Sequence, residues 1–205
     1  MKITYLAHSC FIVEENGYRV IFDPYKPGSV PGCGPIHETA NMVIASHGHS
    51  DHGAVDQVKV VEGGKCPFAI TTIKSYHDDK LGLLRGKNKI TVLRGQMSLA
   101  HMGDIGCKLK DSQLKELAGV DVLLIPVGGH FTINAAEAKA LADKIEARVV
   151  IPMHYRGDGF GYDVIGPVTE FTKLCTDVRY YGDEIEVTPK TERQTAVLKC
   201  RLHEI

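Results

Sequence analysis

Ser46-His47-Gly48-His49-Ser50-Asp51-His52-Gly53 places three histidines and an aspartate within the six residues from His47 to His52. The stretch follows Met42 to Ala45, a short apolar run that predicts a buried strand, so the cluster stands where a strand ends and small residues take over. In extended chain the side chains at i and i+2 share a face, which lets His47 and His49 hold one ion together. Asp51 and His52 come after a change of direction and reach toward a second ion a few ångströms away. Imidazole and carboxylate suit zinc; manganese and iron accept the same donors, while calcium and magnesium are disfavoured. Ordinary loop hydrogen bonding would account for one histidine here, but poorly for four ligand-type side chains in so short a span.

Outward from this stretch the chain reads first as hairpins. Ile3 to Leu6, Cys10 to Glu14 and Arg19 to Phe22 are β-branched-rich runs, and Asn16-Gly17 is the strongest local hairpin signal. Asp23-Pro24 closes that unit, and Lys26 to Pro35 is a Pro/Gly-rich loop. Phe68 to Thr72, Ile90 to Leu93 and Met97 to Ala100 predict further strands, the last two joined by a tight turn near Gly95. After Asp111 the rhythm changes. Ser112 to Leu117 predicts a short helix capped by Asp111, and Asn134 to Ala147 a longer one rich in Ala, Glu, Lys and Leu. Val120 to Val127 and Ala147 to Met153 predict buried strands, ending at Gly128-Gly129 and at His154. Val164 to Cys175 predicts a helix, and Val178 to Val187 and Thr195 to Leu202 predict closing strands. Hairpins followed by strand–helix alternation imply an α/β fold with two packed sheets and helices outside. No repeat or low-complexity linker divides the chain, so one domain over residues 1–205 is expected.

Composition narrows the function. Lys plus Arg number 24 against 25 Asp plus Glu, a net charge of −1, which lacks the electrostatic footprint of a nucleic-acid or acidic-membrane binder. Hydrophobic residues make up 43% of the 205 positions, enough for a real core. The longest apolar runs, such as Val122 to Val127, are far too short to span a bilayer. Met1 to Val13 is followed by Glu14, Glu15 and Asn16 with no small-residue cleavage site, so a cytoplasmic location is expected. Six cysteines without a CxxC pair give little support for a disulfide framework. Trp is absent, and no basic-aromatic platform for nucleic acid is evident.

The quoted stretch matches an HxHxDH signature, and the chain resembles the metallo-β-lactamase-fold metallohydrolase superfamily. Ile3 to Pro24, with His8-Ser9 and Asp23-Pro24, resembles the opening of the branch that includes L-ascorbate-6-phosphate lactonase-like Zn-dependent hydrolases. Ser75-Tyr76-His77-Asp78-Asp79, then Arg85-Gly86 and Asn88, look like that branch's central loop. His101-Met102-Gly103-Asp104 resembles its HxGD element, and Ile151-Pro152-Met153-His154 its last histidine motif. The resemblance implies a four-layer αββα sandwich with a binuclear site at one edge of the paired sheets. His47, His49 and His77 would then hold the first ion, Asp51, His52 and His154 the second, and Asp104 would bridge them. The residues alone leave His77, His101 and His130 competing for the third place on the first ion; the resemblance selects His77 and gives His130 no metal role. His8, Asp79 and His101 are candidates to touch substrate or to orient ligands from behind, and Arg85 and Asn88 to brace the loop carrying His77.

These features predict a metal-dependent hydrolase in which two divalent cations, zinc above manganese or iron, activate water, with Asp51 as the residue that orients the nucleophile. The expected substrate is a small, polar, anionic ester, lactone or phosphodiester. No nucleic-acid or membrane partner is expected, and self-association stays open. Two other readings compete. A metal- or ligand-binding sensor without turnover would keep the ligands, and a diiron oxidoreductase would favour a carboxylate where this chain has His49.

Overall fold

In the computed structural model, which describes residues 1–203, the β-branched runs at the N-terminus form β1 (Lys2–Ala7), β2 (Cys10–Glu15) and β3 (Tyr18–Phe22). Asn16 and Gly17, both at positive φ (52° and 74°), make the tight turn between β2 and β3. β4 (Thr39–Ala40) pairs in parallel with the short β6 (Lys59–Val60), and β5 (Met42–Ile44) lies parallel to β3. The hairpin β7 (Ala69–Tyr76) and β8 (Lys87–Arg94) is followed by β9 (Ser98–His101). Then come α1 (Asp111–Leu117), β10 (Val122–Pro126), α2 (Ala135–Ile145), β11 (Val149–Met153) and α3 (Val168–Thr172). β12 (Val178–Tyr180), β13 (Glu184–Glu186) and β14 (Gln194–Val197) close the chain.

The strands form a five-stranded sheet, ordered β13-β1-β2-β3-β5, and a seven-stranded sheet, ordered β12-β14-β11-β10-β9-β8-β7. Strand alternation decides how they meet. Ile3, Tyr5, Phe11, Val13, Val20 and Phe22 pack in one core with Ile90, Val92 and Leu99 of the other sheet. The residues between them, Leu6, Cys10, Ile12 and Ile21, face outward into a second cluster with Tyr25, Val30, Cys33, Ile36 and Val58. Among the described residues the α-helices lie on the seven-stranded side, α2 against β10, α3 against β11 and α1 beside α2. The five-stranded side is covered by irregular chain from residues 25 to 38 and by the segment around the 3-10 turn Val55–Gln57.

Several boundaries differ from the expectation: the strand expected at Phe68 to Thr72 runs on to Tyr76, and the one expected at Thr195 to Leu202 ends at Val197. Lys110, not Asp111, caps α1, and Asp111 becomes its first residue, where a carboxylate favours the positive helix end. Only Val168–Thr172 of the predicted 164–175 helix forms, because Pro167 starts it and the segment before it is drawn into a loop over the strand ends. The expected strand from Val178 to Val187 divides, its first part joining the seven-stranded sheet and its second the five-stranded one. The longer helix fits the sequence closely: Asn134 Oδ1 accepts from the Glu137 N–H at 3.0 Å and Glu137 Oε2 accepts from the Asn134 N–H at 2.9 Å.

This topology gathers one set of strand ends. β9, β10 and β11 run parallel, as do β3 and β5. Asp23, Ser46, Asp104 and His154 all lie at or just beyond their C-terminal ends, the usual place for chemistry in sheets of this kind. The turn at His8-Ser9 and the end of β7 at His77 open on the same edge.

Candidate metal centre

The 46–53 stretch is folded by its own backbone and anchored from behind. The N–H groups of His52 and Gly53 both donate to the His49 carbonyl, at 3.0 and 2.7 Å. Gly53 lies so close to the start of the turn that a Cβ there would stand 2.9 Å from the His47 carbonyl oxygen. Asp23, fully buried, holds the segment in place: Oδ1 accepts from the Ser46 N–H at 2.6 Å, and Oδ2 accepts from Ser46 Oγ at 2.6 Å and from His52 Nδ1 at 2.8 Å. Because Ser46 Oγ gives its proton to Asp23, His47 Nδ1, 2.9 Å away, donates to Ser46 Oγ. His77 Nδ1 in turn donates to the Phe131 carbonyl at 3.0 Å. With Nδ1 tied behind in three rings, Nε2 of each carries the lone pair and faces inward, the arrangement by which proteins orient histidines toward a metal.

Asp104 is the focus of those nitrogens. Its Oδ2 lies 3.1 Å from His52 Nε2, 3.1 Å from His77 Nε2, 3.2 Å from His154 Nε2 and 3.9 Å from His47 Nε2. Asn88 positions it, with Oδ1 accepting from the Asp104 N–H at 3.0 Å and Nδ2 donating to Ser75 Oγ and the Met102 carbonyl. Gly103 makes the approach feasible: at φ +54° a Cβ would fall 2.3 Å from Asn88 Oδ1.

Ligand-type atoms collect on either side of Asp104. His47, His49 and His77 form one group, and His8, Asp51, His52 and His154 another, each with its ligand atoms within 4.8 Å of one another. His47 Nε2, His52 Nε2, His154 Nε2, Asp104 Oδ1 and both nitrogens of His8 are buried without a hydrogen-bond partner. So many unpaired polar atoms buried in one place, most of them lone-pair bearers, would be costly unless a cation took them up, and the donor set fits a divalent metal. The electrostatics agree. Burial pushes His47 down to about 4 and His8 down to about 3, leaving both neutral at pH 7. Burial raises the Asp104 carboxyl, but His154 and His52 outweigh it and hold it well below the carboxylate range. Asp51 is likewise raised by burial and lowered further by His8 and His52. His52 is the exception: burial lowers it, but Asp104 and Asp23 more than offset that and hold the ring well above its ordinary value, so a cation there would compete with a proton for Nε2.

All seven expected ligands therefore meet, and His8 joins them. His8 Nε2 is 3.5 Å from Asp51 Oδ2, and its ring lies 4.0 Å from that of His154. His8 and His154 both sit at positive φ (57° and 52°), and the His154 N–H donates to the His8 carbonyl at 2.9 Å, locking the two backbones together. His101 stands behind the site. Its ring stacks on Phe22 at 4.8 Å, Nε2 donates to the Ser9 carbonyl at 2.9 Å, and Nδ1 accepts from the Gly103 N–H at 3.1 Å. Both nitrogens are thus spent on the backbone of the two turns that carry His8 and Asp104. Asp79 is not brought in: its side chain is 72% exposed and pairs with Lys80. His130 is exposed and packs edge-on against Phe131, and the Arg85 guanidinium lies over the Phe131 ring at 5.4 Å.

Sequence reasoning gave no role to Tyr162 or Phe131 and none beyond a motif match to Asp23 and Asp78. Tyr162 Oη lies 2.6 Å from the Ser29 carbonyl and 3.3 Å from Asp51 Oδ2, a contact across 111 positions that no local pattern announces. Asp78 is legible in retrospect as an acid at the head of a Gly-containing loop. It accepts four backbone N–H groups, from Lys80, Gly82, Leu84 and Arg85, at 2.8 to 3.1 Å. Burial raises its carboxyl, but these donors outweigh that and keep it low, so its contribution is present above the unfolded value of about 4 and is lost as pH falls through the lower folded one. Asp78→Ala is expected to release the tip bearing the exposed Leu81, Leu83 and Leu84. Limited proteolysis at that tip should accelerate about tenfold or more, the equivalent of losing one to two net hydrogen bonds; an unchanged cleavage rate would contradict this role.

A family model described as the beta-lactamase superfamily domain matches residues 2–154. Among curated proteins, a UPF0173 metal-dependent hydrolase of Carboxydothermus hydrogenoformans is 30% identical, with 76% of this chain and 84% of that protein covered. One from Methanospirillum hungatei is 27% identical, with 97% and 96% covered. Among solved structures, a Thermotoga maritima protein assigned to the Zn-dependent hydrolases of the metallo-beta-lactamase superfamily has a TM-score of 0.76 at 33% identity, covering 96% of this chain and 97% of that one. The metallo hydrolase Igni18 of Ignicoccus hospitalis shares the fold at 22% identity and a TM-score of 0.61, with 84% and 89% covered.

Proposed function

The chain belongs to the beta-lactamase superfamily and is a metal-dependent hydrolase, and from that premise we propose that it cleaves a small, polar, anionic ester, lactone or phosphodiester with two divalent cations held about Asp104. The observation that carries this reading is the ring of imidazole nitrogens turned on one buried carboxylate, each fixed from behind where a partner exists. His47, His49 and His77 would hold one ion and Asp51, His52 and His154 the other, with Asp104 shared and His8 within reach of the second. The donor set favours zinc, with manganese or iron as substitutes.

Bound cations of this kind supply an activated water at neutral pH and polarise the oxygen that gains charge. The chain does the rest. Asp51 keeps 17% of its side chain open, with Tyr162 and His8 beside its Oδ2, which supports a role for it in orienting the nucleophile. Phe131 and Tyr162, whose rings lie 5.7 Å apart, wall the site and limit water. Arg85 over Phe131 supplies positive charge near the rim. A cavity of about 770 Å³ that His47 and Gly48 help to line also has Lys74, Lys87 and Lys89 in its lining, which favours an anionic substrate. The net charge of −1 favours a small substrate over a nucleic-acid polymer, and the proposed compartment is the cytoplasm. Among the described residues no helix is long and apolar enough to cross a membrane.

The test is metal analysis followed by a substrate screen. Metal-replete protein should hold about two equivalents and turn over members of a panel of sugar-phosphate lactones, carboxylic esters and phosphodiesters. A stoichiometry fixed at one equivalent in excess metal would sink the binuclear form. Activity confined to long RNA or DNA would overturn the substrate class. Full occupancy with no turnover would put a sensor in the enzyme's place.

A further inference from the structure

Two thiols distant in sequence meet at the outer face of the five-stranded sheet. Cys33 Sγ and Cys200 Sγ are 4.0 Å apart although 167 positions separate them. Backbone on both sides is fixed: the Gly34 N–H donates to the Leu202 carbonyl at 2.8 Å, and Cys33 forms an antiparallel bridge with His203. A disulfide needs sulfurs about 2.05 Å apart, so closure asks each to move about 1 Å, within the reach of a side-chain rotation.

We propose that Cys33 and Cys200 form an oxidation site, a dithiol that closes to an intrachain disulfide by exchange with a small-molecule disulfide. Cys200 is the more exposed of the two, and the thiol hydrogen bond from Cys33 holds its own thiol below the ordinary value, which makes it the attacking group. Its thiolate attacks one sulfur of the oxidant and releases the other as a thiolate. The Cys33 thiolate then attacks Cys200 Sγ and releases the second half. One external disulfide is reduced to two thiols, and two protein thiols are oxidised to one disulfide.

The location gives this bond a purpose. Residues 25 to 36 cover the sheet and also brace the site. Lys26 N–H and Ser29 Oγ both donate to the Ser50 carbonyl, and Ser29 supplies the carbonyl that Tyr162 Oη meets. The Gly161 N–H donates to the Pro31 carbonyl, tying the Tyr162 loop to the same segment. A covalent link at residue 33 would fasten this cover to the C-terminal segment whether or not metal is bound.

The experiment is to incubate the whole protein with oxidised glutathione, map its peptides and melt it with and without dithiothreitol. A peptide cross-linked through Cys33 and Cys200 is expected. It should accompany a rise in Tm on the order of 10 °C, reversed by the reductant and absent in Cys200→Ser, because the bond closes a long loop. A stable glutathione adduct on Cys200 without the cross-link would overturn the proposal. So would a cross-link to Cys10 instead, or no reaction at either cysteine.

Discussion

Asp104→Ala is expected to take the protein from about two metal equivalents to about one or fewer and to lower hydrolysis by more than ~100-fold, since even residues behind metal ligands cost ~10–100-fold when removed. The reason is position. Asp104 Oδ2 lies within 3.1 to 3.2 Å of three imidazole nitrogens from three separate segments, those of His52, His77 and His154. Without it the two groups of candidate ligands lose the carboxylate between them, and the nitrogens face one another across a buried gap. Asp104→Asn keeps the volume and separates charge from packing; it should lose metal nearly as far. His130→Ala, on the exposed side of the same loop region, should leave metal content intact. Calorimetric titration with zinc reads all three, and a wild-type stoichiometry in Asp104→Ala would remove Asp104 from the centre.

Asp23 tests the support beneath the ligands. Asp23→Ala would strand three buried donors at once, the Ser46 N–H, Ser46 Oγ and His52 Nδ1. A loss of about 3–5 kcal/mol is expected, a fall in Tm on the order of 10 °C. Asp23→Asn is the sharper variant. Its amide oxygen still accepts the Ser46 N–H, but its NH2 would then point at His52 Nδ1 and force the proton onto Nε2, the nitrogen that faces Asp104. Metal affinity should fall about 10–100-fold with a smaller loss of Tm. If Asp23→Asn binds zinc as the wild type does, the tautomer of His52 is not set by this carboxylate.

How far the sequence carried depends on whether the deciding contact is local. The i, i+2 spacing of His47 and His49 and the strand ends expected at Ala100 and Met153 are local, and they put the candidate side chains close to where the structure has them. The capping pair Asn134 and Glu137 likewise starts α2 where its side chains say it should. What stayed illegible is long-range. Nothing near His8 says that its carbonyl will pair with the His154 N–H, or that His101 will spend both nitrogens on the backbone of other turns. Asp79 shows the converse: it stands beside Asp78 and within a matched motif, yet the four N–H groups that fold the loop inward choose Asp78, and Asp79 points to solvent. The division of residues 178–187 between two sheets is also a tertiary decision, made by which open strand edge lies nearest.

That division governs how the chain can acquire its structure. β13 pairs with β1, so Lys2 meets Glu186 and Thr4 meets Glu184. β1 therefore waits for a strand that is made much later, and until residues 184–186 emerge the β1 edge has unpaired backbone groups on one side. β12 and β14, on either side of β13 in sequence, meanwhile join the opposite sheet. Closure of the two sheets is thus one late event of high contact order, which slows folding and leaves a growing chain with an adhesive edge for most of its synthesis. The same stitch works in reverse once it is made: peeling either sheet open means first withdrawing a strand held between two neighbours committed to the other.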